Sequence, residues 1–279
     1  METQNRLAVS LQNTSLRLGG RDLWKKLSLT IAPGEFIAVL GPNGSGKSSF
    51  IKMLLGQHKP HQGEVEVLGQ PPLAARANVG YIPQQKAFDR DIPLTGRDLV
   101  GLGVNGTRLF VNFTSTADNK KIDKAIAKVG ASAYAGKPLG QLSGGEQQRL
   151  RIAQATVNKP PLLLCDEPLL SLDLASQSTV AKLINSQRQQ GSAVVFITHE
   201  INPVLPYVDR VLYLVGGKWA IGTPAEVLTT EKLSSLYGAP VEVLNVHGRI
   251  LVVASSDTAM TEPHDAHHHH VIHAGADHE

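Results

Sequence analysis

A chain of 279 residues with 42% apolar and 18% charged side chains can bury a full core, as one larger domain or as a domain with an appendage. Its formal charge of +3, with no Lys/Arg block longer than two residues, argues against a nucleic-acid partner. A single cysteine, Cys165, excludes an intramolecular disulfide and fits a reducing compartment.

METQNRLAVS carries neither the basic nor the apolar region of a secretory signal. Apolar runs such as PPLLLC fall far short of the roughly 20 residues that span a bilayer. Work at a membrane would therefore require another chain to hold this one there. LAVSLQNTSLRL and KLSLTIA alternate apolar and polar residues and predict two strands, and PGE then turns the chain into a third, FIAVL. After a glycine-rich stretch, KSSFIKMLLGQ has the spacing of a helix that stops at Gly56. EVEVLG and VGYIP return to strand. From about Phe88 to Leu139 the pattern changes: DKAIAKVGAS is helical and GLGVNGTRLFVNFTSTADN reads as loop. Together they suggest a mostly helical subdomain, about residues 88–145, inserted into an α/β core. From Glu146 the order is helix, buried strand PLLLCD, helix, strand AVVFITH, helix, strand RVLYLV. Such alternation implies parallel strands with helices on both faces. VEVLNVHGRILVVAS offers a final strand pair, within residues 239–256, and a polar tail expected to be disordered occupies 257–279.

The stretch GPNGSGKS fits G-x-x-x-x-G-K-[ST] and lies between a predicted strand and a predicted helix, the context that phosphate-binding motif needs. Its members are Gly41, Pro42, Asn43, Gly44, Ser45, Gly46, Lys47 and Ser48, with Ser49 following. The glycines let backbone N–H groups curl around phosphate oxygens, and the next helix aims its positive end at the same anion. Lys47 is expected to reach the β- and γ-phosphates, and the Ser48 hydroxyl to ligate Mg²⁺. LLLCDEP supplies a buried strand ending in two carboxylates: Asp166 to hold Mg²⁺ through its water shell, and Glu167 to polarise the attacking water. Cys165 within that strand is a small core residue rather than a nucleophile. LSGGEQQRLRIAQA places Ser143, Gly144, Gly145 and Glu146 at the start of a further helix, a second anion site.

Taken in order, these motifs resemble the ATP-binding-cassette (ABC) ATPases, whose signature reads LSGGQ or, as here, LSGGE. The resemblance spans about residues 6 to 238. It implies an α/β P-loop NTPase fold of the ABC ATPase type over 1–238, with an N-terminal antiparallel β subdomain and an inserted helical subdomain. It also implies a head-to-tail homodimer in which the signature of one subunit caps ATP held by the phosphate loop of the other. Gln84 in VGYIPQ matches the Q-loop glutamine, which senses Mg²⁺ and contacts the transmembrane partner. Ser171, Leu172 and Asp173 match the D-loop, which crosses the dimer interface, and His199 in VVFITHE matches the switch histidine. One position departs from the family: the aromatic residue that usually stacks on adenine is replaced by Leu18 in LRLGG. Trp24 could substitute, but its place in DLWKKLSL looks like core. Apolar contact could still support the base, so phosphate binding is expected to be ordinary and adenine selectivity weaker.

Cassettes of soluble relatives usually come in pairs or carry a long coiled-coil insertion, and neither is present. A half-size cassette favours the ATPase subunit of a transporter, at the cytoplasmic face of the cell membrane, over the alternative of a soluble ABC-type ATPase not coupled to transport. DRDIPLTGRDLVGLG, THEINPVLPYVDRVLYL and LYGAPVEVL resemble the cassettes of zinc, manganese and iron-chelate importers, which work with a permease dimer and an extracytoplasmic substrate-binding protein. Seven of the eleven histidines sit in the last sixteen residues: His264, His267, His268, His269, His270, His273 and His278. Clustered neutral imidazoles ligate zinc, whereas manganese prefers carboxylate-rich sites, so the tail leans to zinc and to a role as sensor or buffer of cargo. An expression tag is the other reading, although the run continues through VIHAGADHE and fits a native tail better.

Overall fold

The computed structural model describes residues 7–84, 88–89, 91–105 and 115–254. Strands β1 (Val9–Leu18), β2 (Arg21–Ile31) and β4 (Gln62–Val67) form an antiparallel sheet in the order β2-β1-β4. A second sheet of six strands has the order β5-β6-β7-β3-β8-β9. Its members are β3 (Phe36–Leu40), β5 (Val79–Ile82), β6 (Leu162–Asp166), β7 (Ala193–Ile197), β8 (Arg210–Val215) and β9 (Lys218–Gly222). The first five in that order run parallel, and β9 closes the edge antiparallel to β8.

Both faces of the central strands are buried, as their unbroken apolar sequences require. The two-residue side-chain period divides β3 between two cores. Phe36, Ala38 and Leu40 face helices α3 (Gly96–Asn105), α4 (Thr116–Lys128), α5 (Gly144–Thr156) and α6 (Leu174–Arg188). Ile37 and Val39 face α1 (Lys47–Leu54) and the antiparallel sheet, in a core that includes fully buried Trp24 and Phe50 and Ala75 at the end of the short α2 (Pro72–Ala75). Among the described residues no helix is long and apolar enough to cross a membrane.

Two sequence expectations need correction. Gly101–Asn105, read as loop, are the second half of α3, and Thr116–Asn119 open α4. The glycines of α3 serve contact rather than turning: a Cβ on Gly103 would lie 2.2 Å from the Gln154 carbonyl, and one on Gly96 would lie 2.6 Å from Leu150. The helix expected between AVVFITH and RVLYLV is only a short 3₁₀ turn, Leu205–Tyr207. Pro203 and Pro206 lack the N–H groups that a longer helix would use there.

The C-terminal strand pair is present as β10 (Val241–Val246) and β11 (Arg249–Ala254), joined at His247 and Gly248. Both joining residues have positive φ, 52° and 77°, which matches the twist of a two-residue hairpin. The hairpin rests on α8 (Thr230–Tyr237), which follows a short α7 (Pro224–Val227). Ser234 Oγ accepts from Val241 N at 3.0 Å and donates to its carbonyl oxygen at 3.1 Å. Thr230 Oγ1 accepts from Val243 N at 2.9 Å.

Candidate nucleotide site

Gly41–Gly46 connect β3 to α1, so the loop lies at the carboxyl end of a central strand, where ligands of open α/β sheets bind. Gly41 has φ 141°, and a Cβ there would stand 2.0 Å from the Leu214 carbonyl oxygen. Gly46, φ 104°, caps α1 with the Trp24 ring 3.0 Å from where a Cβ would be. The loop fits only because those positions lack side chains.

Lys47 is buried and folds back over the loop, its Nζ donating to the carbonyls of Gly41 at 2.8 Å and Pro42 at 3.0 Å. Burial lowers its pKa, while the nearby Glu167 and Asp166 carboxylates oppose the shift. Ser48 Oγ donates to Asp166 Oδ1 at 3.2 Å, which joins the phosphate loop to the end of β6. Burial raises the Asp166 carboxyl above its usual range against the Ser48 hydrogen bond, and the neighbouring Glu167 adds to the rise. Cys165 is fully buried, and burial pushes its thiol far up, as for an inert core residue.

Immediately after β6, Glu167 adopts φ 49°, a left-handed conformation that costs about 1–3 kcal/mol for a non-glycine residue. Its amide donates to the Ile197 carbonyl at 3.1 Å. The turn sets its carboxylate between two groups from distant segments. Gln84 Nε2 donates to Oε2 at 3.0 Å, and His199 Nε2 stands 2.5 Å from Oε1. Gln84, Glu167 and His199 therefore converge from the ends of β5, β6 and β7.

A cleft of about 380 Å³ joins these groups, lined by Asn43, Gly44, Gly46, Lys47, Ser48, Ser49, Gln84, Glu167 and His199 with Leu18 and Leu23. Ser45 is buried beneath the loop, and Gly41 and Pro42 face a separate cavity behind it. Leu18, 36% exposed, is thus at the mouth of the cleft, while Trp24 lies edge-on to Phe50 in the core and lines none of it. No motif marked Leu23; its signal was only proximity to the strand end that carries Leu18.

The signature residues stand elsewhere. Ser143 caps α5 and Glu146 reciprocates, with the Ser143 N and Oγ donating to the Glu146 carboxylate at 2.8 and 2.9 Å. The Ser143 backbone donor lowers the Glu146 pKa, so the chain's own carboxylate already sits at this helix start. Asp173 caps α6 by accepting from Ser176 N at 2.8 Å. A Cβ on Gly145 would lie 3.0 Å from Ser176 Oγ, so the two helix starts are neighbours. Ser143, Gly144 and Asp173 are exposed, and none of the signature residues lines the cleft of the same chain. Among the described residues no group of three or more His, Cys, Asp or Glu could hold a metal ion, and the seven tail histidines lie outside the described residues.

The sequence profile of the ABC transporter family matches residues 24–170. A zinc import ATP-binding protein of Roseobacter denitrificans is 36% identical over 231 residues, 82% of this chain and 84% of its own length. A manganese transport system ATP-binding protein of Halalkalibacterium halodurans is 31% identical over 88% of this chain and 98% of its own. Among solved structures, a metal-chelate type ABC transporter in an inward-facing conformation superposes with a TM-score of 0.74 at 28% identity, covering 88% of this chain and 96% of that one.

Proposed function

We propose that this chain, which belongs to the ABC transporter family and is one of its ATPases, energises uptake of a zinc or manganese ion through a separate membrane permease. The observation that carries a transporter-type cycle is the division of the nucleotide machinery. One chain offers a phosphate cleft with a poised carboxylate, while its second helix start, where Ser143 and Gly144 are exposed, lies away from that cleft. A head-to-tail pair of chains would bring each exposed signature onto the other's cleft. Leu174 beside Asp173, 81% exposed, supplies apolar surface for such a contact.

ATP would lie in the cleft with its phosphates on the amides of the loop and the start of α1. Lys47 would leave the Gly41 and Pro42 carbonyls for the β- and γ-phosphates. The Ser48 hydroxyl and Asp166 carboxylate are hard oxygen donors, as Mg²⁺ requires, and a buried carboxylate with a raised pKa suits a cation. Those two groups, with Gln84, would hold the ion; when bound it neutralises charge on the phosphate oxygens. Glu167 accepts the proton of the attacking water as the bond to the leaving ADP oxygen breaks, and His199 faces the γ-phosphate.

The metal cargo rests on the relatives' chemistry and on the histidine tail, since seven imidazoles within sixteen residues suit zinc. The chain would work at the cytoplasmic face of the membrane, with an extracytoplasmic binding protein delivering the ion to the permease. Capture of the full-length chain from native membranes tests this assignment. Recovery with a multispanning permease supports it; recovery only as membrane-free dimers would transfer the assignment to a soluble cassette ATPase.

A further inference from the structure

Three residues past His199, the side chain of Asn202 reaches the C-terminal hairpin. Its Oδ1 accepts from Ile250 N at 2.8 Å and its Nδ2 donates to the Ile250 carbonyl oxygen at 3.0 Å. Both bonds go to one backbone residue, as a neighbouring strand would make them. Ile250 pairs with Asn245 in the hairpin, one step from the turn-closing pair Val246–Arg249, so its N–H and C=O point outward and are available. Asn202 Nδ2 also donates to Glu200 Oε1 at 2.9 Å, and Thr198 Oγ1 exchanges hydrogen bonds with the Glu200 backbone. The loop 198–202 is therefore tied at its front by His199 to Glu167 and at its back by Asn202 to β11.

Packing holds part of this loop: Thr198 and Ile201 are buried, Ile201 belongs to the helix-side core, and Ile250 packs against that same core. A cavity of about 370 Å³ lies between the loop, the phosphate-loop residues Gly41 and Pro42, and Ile250, Leu251 and Val252 of β11. On the side of the loop that faces this cavity, the two hydrogen bonds from Asn202 to Ile250 make the connection to β11. The hairpin can serve as an anchor because Ser234 and Thr230 fasten it to α8.

We propose that Asn202 is a positioning residue for ATP hydrolysis: by tying the switch loop to β11 it sets His199 against Glu167, and it makes the C-terminal hairpin a working part of the ATPase. The inference rests on the roles given above to Glu167 and His199. Full-length wild type, Asn202→Ala, isosteric Asn202→Asp, His199→Ala and the His199→Ala/Asn202→Ala double variant are compared in steady-state ATP hydrolysis and nucleotide binding. Wild-type turnover with a loss of turnover in His199→Ala checks the underlying roles separately.

Asn202→Ala is expected to lower kcat on the order of tenfold with the KM for ATP within about twofold, as for a group that acts on the transition state. Asn202→Asp, which loses the donor and sets a charge against the Ile250 carbonyl, is expected to lower kcat at least as far. In the His199→Ala background the Asn202 change is expected to have no further effect, because it acts through that histidine. Wild-type kcat in both Asn202 variants overturns the proposal. So does a loss in either variant that falls on nucleotide binding, or one fully additive with His199→Ala.

Discussion

Glu167→Gln separates chemistry from binding. The substitution keeps side-chain size, and glutamine has the same steric access as glutamate to the positive φ of 49° at this position. Its amide oxygen can still accept from Gln84 Nε2, now 3.0 Å from Oε2, while its amide nitrogen would donate to His199 Nε2 in place of the present contact at Oε1. What is lost is the capacity to take a proton, in a carboxylate only 11% exposed and aimed into the cleft between Lys47 and His199. General-base catalysis contributes about 10²–10⁴-fold. The barrier should accordingly rise by about 2.7–5.5 kcal/mol, with kcat falling by the same hundred- to ten-thousandfold. None of the phosphate-loop contacts is touched, so ATP affinity should stay within about twofold and the ATP-bound dimer should accumulate instead of turning over. Phosphate release under saturating ATP measures the first quantity, and light scattering on the eluting dimer measures the second. Turnover within tenfold of wild type would refute the assignment of Glu167 as base.

Lys47→Ala should act on binding itself: loss of a charge-assisted contact worth about 1.5–3 kcal/mol predicts an ATP Kd raised roughly 10- to 100-fold by calorimetry. With Leu18 at the cleft mouth and Trp24 in the core, the usual base-stacking contribution of roughly 1–3 kcal/mol should shrink, so kcat/KM for ATP and GTP should agree within about threefold. A strong ATP preference would show that the base is held by other contacts. Truncation after Pro263 should leave ATP hydrolysis unchanged and alter how transport responds to added metal; an unaltered response would remove the tail from the proposed cargo chemistry.

The local structure around each motif was legible in the sequence. GPNGSGKS, LLLCDEP and SGGE each declare a strand end or a helix start within a few residues, and the structure places strand, loop and helix where those patterns put them. Their convergence was legible only through resemblance, because Gln84 meets Glu167 across 83 residues of sequence and no local pattern encodes that. The α3 glycines misled for a physical reason: Gly101 and Gly103 fell in a stretch that reads as loop, yet Gly103 is the price of close approach to α5, which only a folded neighbour reveals. The tie between Asn202 and Ile250 is of the same kind, since a lone asparagine before a proline reads as a turn residue. The signature was legible as a helix start, but the engagement of Ser143 by Glu146 sharpened it: a phosphate arriving there must share that end with a resident carboxylate.

The most direct test is ATP-driven metal uptake by the complex purified from native membranes on this chain and reconstituted with its binding protein in proteoliposomes. Accumulation of zinc or manganese that requires ATP, and that stops when Glu167→Gln replaces the wild-type chain, is the predicted result. ATP hydrolysis with no movement of either ion, and with the same rate in the absence of any membrane protein, would contradict the proposed function.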